Sequence, residues 1–262
     1  MTGDALFEVT DLVRRFGRGG RVHALDGVSL QVQRGQRLGI VGESGSGKST
    51  LIRLMAALDR PTSGSITFEG REITALAERD LGFLRAAVQL VFQDPRSSLN
   101  PRMTVGSIVT EPLRAAHLRR AMDAVDPRQR LREVLAAVDL PSDAAERYPH
   151  EFSGGQRQRI AIARALAPAP AVLIADEPVS ALDVSVRAQV LNLLAELVDA
   201  HGLTLIFVSH DLAVVRHLCD SVIVMRAGRI EEQGSAEQVF AHPKAEYTKA
   251  LWAAIPRIRT DG

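Results

Sequence analysis

The chain contains a single cysteine, Cys219. One thiol excludes an internal disulfide, a metal site with paired cysteine ligands, and an iron–sulfur cluster held by several cysteines. Aromatic residues are also scarce, at 4% of the sequence, and the formal net charge is only +1. Recognition of nucleic acid usually needs a basic surface or a row of stacking aromatic rings. We therefore expect no nucleic-acid partner.

Long apolar runs are missing as well. No window of eighteen residues is apolar without a charge, and Met1–Asp4 lacks the basic stretch followed by an apolar one that marks a signal peptide. With 46% hydrophobic and 24% charged residues, 262 positions are enough to bury a large core. We expect one soluble domain in the cytoplasm that reaches any membrane through a partner.

Lysine is rare in this chain. Of the 32 basic residues only three are lysines, at Lys48, Lys244 and Lys249. Lys48 lies in a glycine-rich run that follows the apolar stretch Leu38–Val41 and precedes Leu51–Met55, which is the order strand, loop, helix. The nine residues of this predicted phosphate-binding loop are Gly42, Glu43, Ser44, Gly45, Ser46, Gly47, Lys48, Ser49 and Thr50.

A loop that closes on a helix N-terminus presents unpaired N–H groups and the positive end of the helix dipole to a polyphosphate. The spacing of the glycines fits the P-loop pattern. In that pattern the Lys48 ammonium reaches the β- and γ-phosphates, and the Ser49 hydroxyl is a ligand of Mg²⁺. The run therefore predicts a nucleotide with Mg²⁺, and the alternative is a flexible glycine turn.

Apolar runs in the second half of the chain predict a parallel sheet covered on both faces. These runs are Val172–Ala175, Leu205–Val208 and Val222–Met225, with a hairpin turn expected after the last at Ala227-Gly228. Shorter, alternating segments near the N-terminus predict an antiparallel sheet beside that core, at Phe7–Val9, Val28–Val32 and Ser65–Phe68. The fold class is therefore α/β.

Between the two halves the pattern becomes helical. Asp126-Pro127 reads as an N-cap followed by proline at the first helical position, with Gln129 three residues on as in a capping box. Leu131, Val134, Leu135 and Val138 form one helical stripe. We expect a single domain over 1–262, with a core of about 1–93 and 160–240, a helical insert of about 94–159 and a C-terminal tail of 241–262.

Two carboxylates, Asp176 and Glu177, follow the predicted strand Val172–Ala175. Ligands of α/β proteins bind at the C-terminal ends of parallel strands. Asp176 is therefore expected to hold Mg²⁺, and Glu177 to orient and polarise an attacking water. The alternative is an ordinary strand exit, since Asp-Glu-Pro is a common sequence.

A second glycine motif precedes a predicted helix at Ile160–Ala167 and contains Ser153, Gly154, Gly155 and Gln156. One interpretation is a Ser-x-x-Gln capping box. Each glycine weakens a helix by about 1 kcal/mol relative to alanine. A helix cap alone does not require two glycines at this cost. The pair makes sense if another phosphate approaches this helix start.

With these motifs the chain resembles the nucleotide-binding subunits of ABC transporters, over residues 5 to 256. Ser153–Gln156 resembles their signature motif, with Phe152 where leucine is commoner. The resemblance implies a P-loop NTPase fold of RecA-like type with ATP as nucleotide. It also implies a head-to-tail dimer in which ATP on Lys48 is covered by Ser153 and Gly155 of the second subunit.

Other positions match the family pattern one by one. Gln93 corresponds to the Q-loop, where its amide is suited to contact Mg²⁺ and water. Asp183 ends the D-loop run that begins at Ser180, and His210 corresponds to the switch histidine near the γ-phosphate. Phe16, 32 residues before Lys48, is the candidate to stack on adenine, with ordinary core packing as the alternative.

Several segments resemble the branch of importers for dipeptides, oligopeptides and nickel: 92–105, 111–113, 181–186 and the tail at 242–251. The resemblance implies two multi-span membrane permease subunits, a second ATP-binding subunit that is a copy or a paralogue, and an extracytoplasmic solute-binding protein. It places the chain at the cytoplasmic face of the membrane. The loop 94–104, with Arg96 and Arg102, is expected to receive a helix of the membrane subunit.

Other functions remain open at this point. The cargo is a peptide, or else nickel or another small solute. A soluble ABC ATPase of an enzyme complex, of the kind that degrades phosphonates, is the second hypothesis. A DNA-repair or chromosome ATPase would need a long coiled coil or zinc-binding cysteines, a GTPase would need Asn-Lys-x-Asp, and a small-molecule kinase would leave Ser153–Gln156 unexplained.

Overall fold

The computed structural model describes residues 5–17, 21–94, 98–115 and 126–253. The chain divides into two compact units. The first contains Met1–Thr74 and Phe207–Gly262, and the second contains Ala75–Ile206.

Ten strands lie within the described residues: β1 Ala5–Phe16, β2 Val22–Gln33, β3 Arg37–Val41, β4 Ser63–Phe68, β5 Arg71–Glu72, β6 Val88–Val91, β7 Val172–Asp176, β8 Thr204–Val208, β9 Ser221–Arg226 and β10 Arg229–Ser235. Nine α-helices lie within the same residues: α1 Lys48–Met55, α2 Gly82–Ala87, α3 Val105–Thr110, α4 Pro127–Ala137, α5 Gly154–Leu166, α6 Val184–His201, α7 Leu212–Leu218, α8 Ala236–Ala241 and α9 Glu246–Ala253. Short 3₁₀ turns occur at Glu78–Asp80, Pro112–Arg114, Ser142–Glu146 and Pro149–Glu151. None of these helices is long and apolar enough to cross a bilayer.

The first unit contains the predicted antiparallel sheet, in the order β2-β1-β4-β5. In its register Val9 pairs with Leu30 on one side and with Ile66 on the other. In β1, Phe7 and Val9 are buried and Glu8 between them is exposed, and the Phe7 and Phe68 rings lie 4.8 Å apart between centroids. The prediction from alternating apolar and polar residues, that this sheet buries one face, is therefore confirmed.

The first unit also contains the strand that leads to the glycine loop. β3 pairs in parallel with β9, with Ile40 opposite Ile223, and β9 pairs antiparallel with β10 through the predicted hairpin at Ala227-Gly228. The helix α7 packs against β3 at Gly39, where an added Cβ would lie 2.3 Å from Val215 Cγ1. This close contact fixes the helix on the strand.

The second unit holds β6 and β7 as a parallel pair, with Val88 opposite Val172. The Thr204 N–H at the start of β8 donates to the Ala171 carbonyl at 3.0 Å, and this bond joins β8 to the residue that precedes β7. The central residues of β7 and β8 are buried. The α/β prediction with parallel strands and an antiparallel sheet is confirmed.

Helices of the second unit pack through their ends as well as their faces. Asp126 caps α4 by accepting the Arg128 N–H at 2.9 Å, whereas the expected reciprocal bond from Gln129 is absent because the Gln129 amide donates to Glu133 one turn later. The Arg130 guanidinium of α4 donates to the carbonyls of Leu166 and Ala167 at 2.8 and 3.0 Å. A cation at these last carbonyls stabilises the end of α5.

Candidate active site: a phosphate-binding loop and a carboxylate pair

The loop after β3 is shaped by glycines at two points of close approach. Gly42 has φ +152°, and an added Cβ would lie 2.2 Å from the Met225 carbonyl oxygen. Gly47, the residue before α1, has φ +104°, and its Cβ would lie 2.5 Å from the Ala24 carbonyl oxygen. A side chain at either position would therefore meet a backbone atom that cannot move aside, which explains the glycines.

The Lys48 side chain is held inside this loop. Lys48 is 6% exposed, and its Nζ donates to the carbonyls of Gly42 and Glu43, both at 2.8 Å, and to Ser46 Oγ at 3.4 Å. An ammonium has three donors and no acceptor, so this arrangement satisfies it. A buried cation is thereby placed at the start of α1, inside a loop of backbone groups.

The start of α1 fits a polyphosphate. The first turn contains no acidic residue, and Ser44, Gly45 and Ser49 are exposed. The N–H groups at a helix start, the helix dipole and the Lys48 ammonium favour negative charge at one place. The Ser49 hydroxyl is a hard oxygen donor of the kind that Mg²⁺ accepts. The structure therefore forms the loop and the helix start that the sequence predicts, and phosphate binding there stays a prediction.

His210 lies at the same edge of the first unit as the P-loop. It follows β8, and the Ser209 N–H donates to the Ile40 carbonyl at 3.2 Å, one residue before β3 ends. The His210 side chain is exposed, while Asp211 after it caps α7 by accepting the N–H of Ala213 at 3.1 Å. The structure thus supports the predicted location of His210 at a strand end.

Phe16 lies at the end of β1 and is 40% exposed. The Arg14 guanidinium covers its ring at 4.4 Å from the centroid, and Asp59 holds Arg14 in turn through two bonds of 2.8 and 3.0 Å. An exposed ring is not ordinary core packing, so that alternative is excluded. Its stacking on adenine stays a prediction.

In the second unit, Asp176 and Glu177 stand at the end of β7 as predicted. Both are half-buried. Glu177 has φ +46°, a left-handed conformation that costs a residue with a side chain of order 1 kcal/mol or more. Its carbonyl accepts the Ser180 N–H at 3.2 Å and the Ser180 hydroxyl at 3.1 Å, which hold this turn. Strain of this kind is typical of functional sites.

The structure brings Gln93 and Glu177 together, although 84 positions separate them in the sequence. Gln93 follows β6, which is paired with β7, and its Nε2 donates to Glu177 Oε2 at 3.3 Å. A neutral amide at the carboxylate orients it without neutralising its charge. The two residues predicted to act on water and metal are therefore in contact.

The second glycine motif starts α5 and has both features that the sequence suggested. Ser153 Oγ accepts the Gln156 N–H at 3.3 Å, and Gln156 Oε1 accepts the Ser153 N–H at 3.0 Å, so the capping box is present. Ser153, Gly154 and Gln156 are exposed. The cap orders the helix start, and the exposed groups remain accessible to a ligand.

Gly155 has a structural reason that the sequence did not reveal. It is buried, and an added Cβ would lie 2.3 Å from Cγ1 of Val186 in the first turn of α6. The Val186 N–H in turn donates to the Asp183 carboxylate at 3.0 Å. This bond and that of the Ser185 hydroxyl keep the pKa of Asp183 below its usual value. The sequence does not reveal the role of Val186, because only the packing of α5 on α6 brings its side chain to Gly155.

The predicted site residues fall into two sets, one in each unit. The first unit contains Phe16, the P-loop 42–50 and His210. The second contains Gln93, Asp176, Glu177, the motif 153–156 and Asp183. Within each unit the structure gives these residues the strand ends and helix starts that the motifs predicted.

Comparison with known proteins identifies the family. A family model described as "ABC transporter" matches residues 25–180. The dipeptide transport ATP-binding protein DppF of Haemophilus influenzae is 49% identical over 243 residues, which are 93% of this chain and 73% of that protein. The oligopeptide transport ATP-binding protein OppF of Escherichia coli is 46% identical over 251 residues, 95% of this chain and 75% of that protein.

Solved structures agree. CbiO1 of Clostridium perfringens, part of the ABC transporter complex CbiONQ, superposes with a TM-score of 0.80 at 30% identity and covers 97% of both chains. The ATP-binding cassette MJ0796, a dimer bound to ADP and phosphate after hydrolysis, gives a TM-score of 0.76 at 32% identity and covers 88% of this chain and 98% of its own. The chain therefore belongs to the ABC transporter family and is one of its ATP-hydrolysing cassettes.

Proposed function

We propose that this chain hydrolyses ATP to drive an importer of dipeptides or oligopeptides. The names of relatives that match 92 to 98% of the chain support a peptide as cargo. The observation that carries the coupling of hydrolysis to transport is the contact between Gln93 and Glu177 at 3.3 Å. Through this contact, the carboxylate of Glu177, the candidate catalytic residue, touches Gln93. Gln93 directly precedes the loop 94–104, which leads into the helical insert.

Each site residue has a proposed role in the reaction. Lys48 binds the β- and γ-phosphates, and the oxygens of Ser49, Asp176 and Gln93 hold Mg²⁺, since hydroxyl, carboxylate and amide oxygens suit this ion. Mg²⁺ supplies charge neutralisation on the phosphates when bound. Glu177 orients and polarises the attacking water, and Asp183 assists at the nucleotide from the D-loop.

Two further contacts recognise the rest of the nucleotide. His210 contacts the γ-phosphate, for which its exposed position directly after β8 is suitable. Phe16 stacks on adenine, and its exposure of 40% supports this. The backbone groups of 42–50 bind the phosphates around Lys48.

A second ATP-binding subunit completes the site. We propose that two cassettes, this chain with a copy or a paralogue, associate head to tail, so that Ser153, Gly154, Gly155 and Gln156 of each cover the ATP on the other. The exposed Ser153 hydroxyl and Gln156 side chain at the capped start of α5 support this arrangement. The dimeric state of MJ0796 supports it as well.

The transport complex supplies the remaining partners. We propose that the chain binds two multi-span permease subunits at the cytoplasmic face of the membrane, and that an extracytoplasmic solute-binding protein delivers the peptide. Of the predicted docking loop, Arg96 lies outside the described residues. Arg102 is exposed, and its N–H donates to the Asn100 side chain at 3.0 Å. A turned, exposed loop of this kind is suited to bind a partner.

The test is uptake by the complex that co-purifies with this chain, reconstituted in proteoliposomes with ATP inside. We expect ATP-dependent uptake of a labelled dipeptide that an excess of Ni²⁺ does not reduce. Uptake of nickel and not of peptide would instead assign the chain to the nickel importers of this branch. Co-purification with soluble enzyme subunits and no membrane protein would instead support the hypothesis of an enzyme complex.

A further inference from the structure

A segment near the C-terminus, residues 244–253, is fixed to the first unit at several points. We call it the C-terminal strap. The N–H groups of Lys244 and Ala245 donate to the Glu232 carboxylate on β10 at 2.9 and 3.0 Å. At the other end, the Trp252 ring stacks on Phe240 with 4.7 Å between centroids, and its Nε1 donates to the Val239 carbonyl at 2.9 Å. The strap is therefore held at both ends.

Tyr247 lies between these two anchors and reaches the P-loop. Its side chain is half-buried, and the Arg226 guanidinium lies over its ring at 4.8 Å from the centroid. Its hydroxyl oxygen accepts the N–H of Glu43 at 3.4 Å, across 204 positions of sequence. At 3.4 Å this hydrogen bond is long. The Arg226 guanidinium and the position of Tyr247 in α9 hold the ring that carries the hydroxyl.

The peptide unit that Tyr247 contacts is also the one that holds the P-loop lysine. The Glu43 N–H and the Gly42 carbonyl belong to the same planar peptide. The N–H donates to Tyr247, and the carbonyl accepts the Lys48 Nζ at 2.8 Å. The Met225 carbonyl lies against Gly42, and Arg226, which covers the Tyr247 ring, is the next residue. The Gly42–Glu43 peptide unit is thus held by contacts with the strap, with β9 and with Lys48.

We infer that Tyr247 is a positioning residue for nucleotide binding, which holds the Gly42–Glu43 peptide and through it the P-loop and Lys48 in the conformation that receives ATP. The inference rests on the proposed role of Lys48. A loop that is ordered before the ligand arrives loses less conformational entropy on binding, so affinity increases. Tyr247 contacts none of the proposed reacting groups, and the rate of the chemical step should not depend on it.

The test compares Tyr247→Phe with the wild-type chain. This change removes only the hydroxyl and keeps the ring beneath Arg226. We expect the Kd and the KM for Mg²⁺-ATP to rise about two- to fivefold, at the lower end of what one hydrogen bond contributes, with kcat unchanged. We also expect faster hydrogen exchange at the Glu43 amide without nucleotide, because its acceptor is gone.

The matched control is Tyr148→Phe, the same change at an exposed tyrosine outside the strap, whose ring stacks on His150. It should leave the Kd for Mg²⁺-ATP unchanged. An unchanged Kd in Tyr247→Phe, or an equal rise in both variants, would overturn the inference. Lys48→Ala separates this failure from that of the proposed site: if Lys48→Ala binds Mg²⁺-ATP like the wild type, the site assignment fails and the inference fails with it.

Discussion

Substitution of Gly155 by alanine tests the packing that joins the two motifs of the second unit. The new Cβ would lie 2.3 Å from Val186 Cγ1, more than 1 Å inside the contact distance of about 3.5 Å for two carbon atoms. Overpacking of this kind costs about 1–3 kcal/mol. Alanine favours a helix over glycine by at most about 1 kcal/mol, so the clash dominates.

We therefore expect Gly155→Ala to destabilise the chain by about 1–2 kcal/mol. In a protein of this size the unfolding temperature should fall by about 2–4 °C per kcal/mol. Scanning calorimetry of the chain without nucleotide measures this change. Gly154→Ala is the matched control, because its Cβ would approach only the flexible end of Leu182, at 3.3 Å. It should leave the unfolding temperature nearly unchanged.

A double-mutant cycle makes the argument specific. In a Val186→Ala background the methyl group that Gly155→Ala would meet is absent, so the second substitution should be neutral or stabilising. The coupling energy should then be about 1–3 kcal/mol, above the scatter of about 0.5 kcal/mol expected for independent sites. Additive effects of the two changes, within about 0.5 kcal/mol, would refute the packing argument.

Three further predictions concern other parts of the molecule. Lys48→Ala should weaken Mg²⁺-ATP binding about tenfold or more in a calorimetric titration, because a charge-assisted contact is lost, while Lys249→Ala, whose side chain pairs with Glu246 at the surface, should bind ATP normally. Asp183→Ala should lower the denaturation midpoint most at pH 7 and progressively less as the pH falls below 3.8. The lowered pKa of Asp183 stabilises the fold above the ordinary value of 3.8, and this contribution is lost as the pH falls through the lower folded value, so a difference that does not change with pH would contradict the cap. Arg102→Glu should abolish peptide uptake by the reconstituted complex and leave the ATPase activity of the chain alone unchanged; uptake at the wild-type rate would exclude this loop as the docking surface.

The local elements of the site could be predicted from the sequence because local rules determine them. The spacing of glycines around Lys48, after a buried strand, specifies a loop and a helix start, and both form at the expected positions. Asp176 and Glu177 were found for the same reason, since an apolar run that ends in carboxylates marks a strand end. The alternation in β1 and β4 similarly reported one buried face.

Contacts between distant segments could not be predicted in this way. The Gln93 amide meets Glu177 only because β6 pairs with β7, and no periodicity reports that pairing. The sequence predicts that a phosphate approaches Gly155, and it gives no sign of the second reason for this glycine, which is that an added Cβ would clash with Val186. The Tyr247 contact with the P-loop depends on the path of the strap over the first unit, which no local pattern in the sequence specifies.

We propose that Glu177 acts on the attacking water of ATP hydrolysis, and the steady-state rate of Glu177→Gln measures this role most directly. The amide keeps the size of the side chain and its contact with Gln93 but cannot accept a proton, so kcat should fall at least about a hundredfold while Mg²⁺-ATP still binds. Glu196→Gln, the same change at an exposed position on α6, should hydrolyse ATP at the wild-type rate. Hydrolysis by Glu177→Gln within a few-fold of that rate would contradict the account.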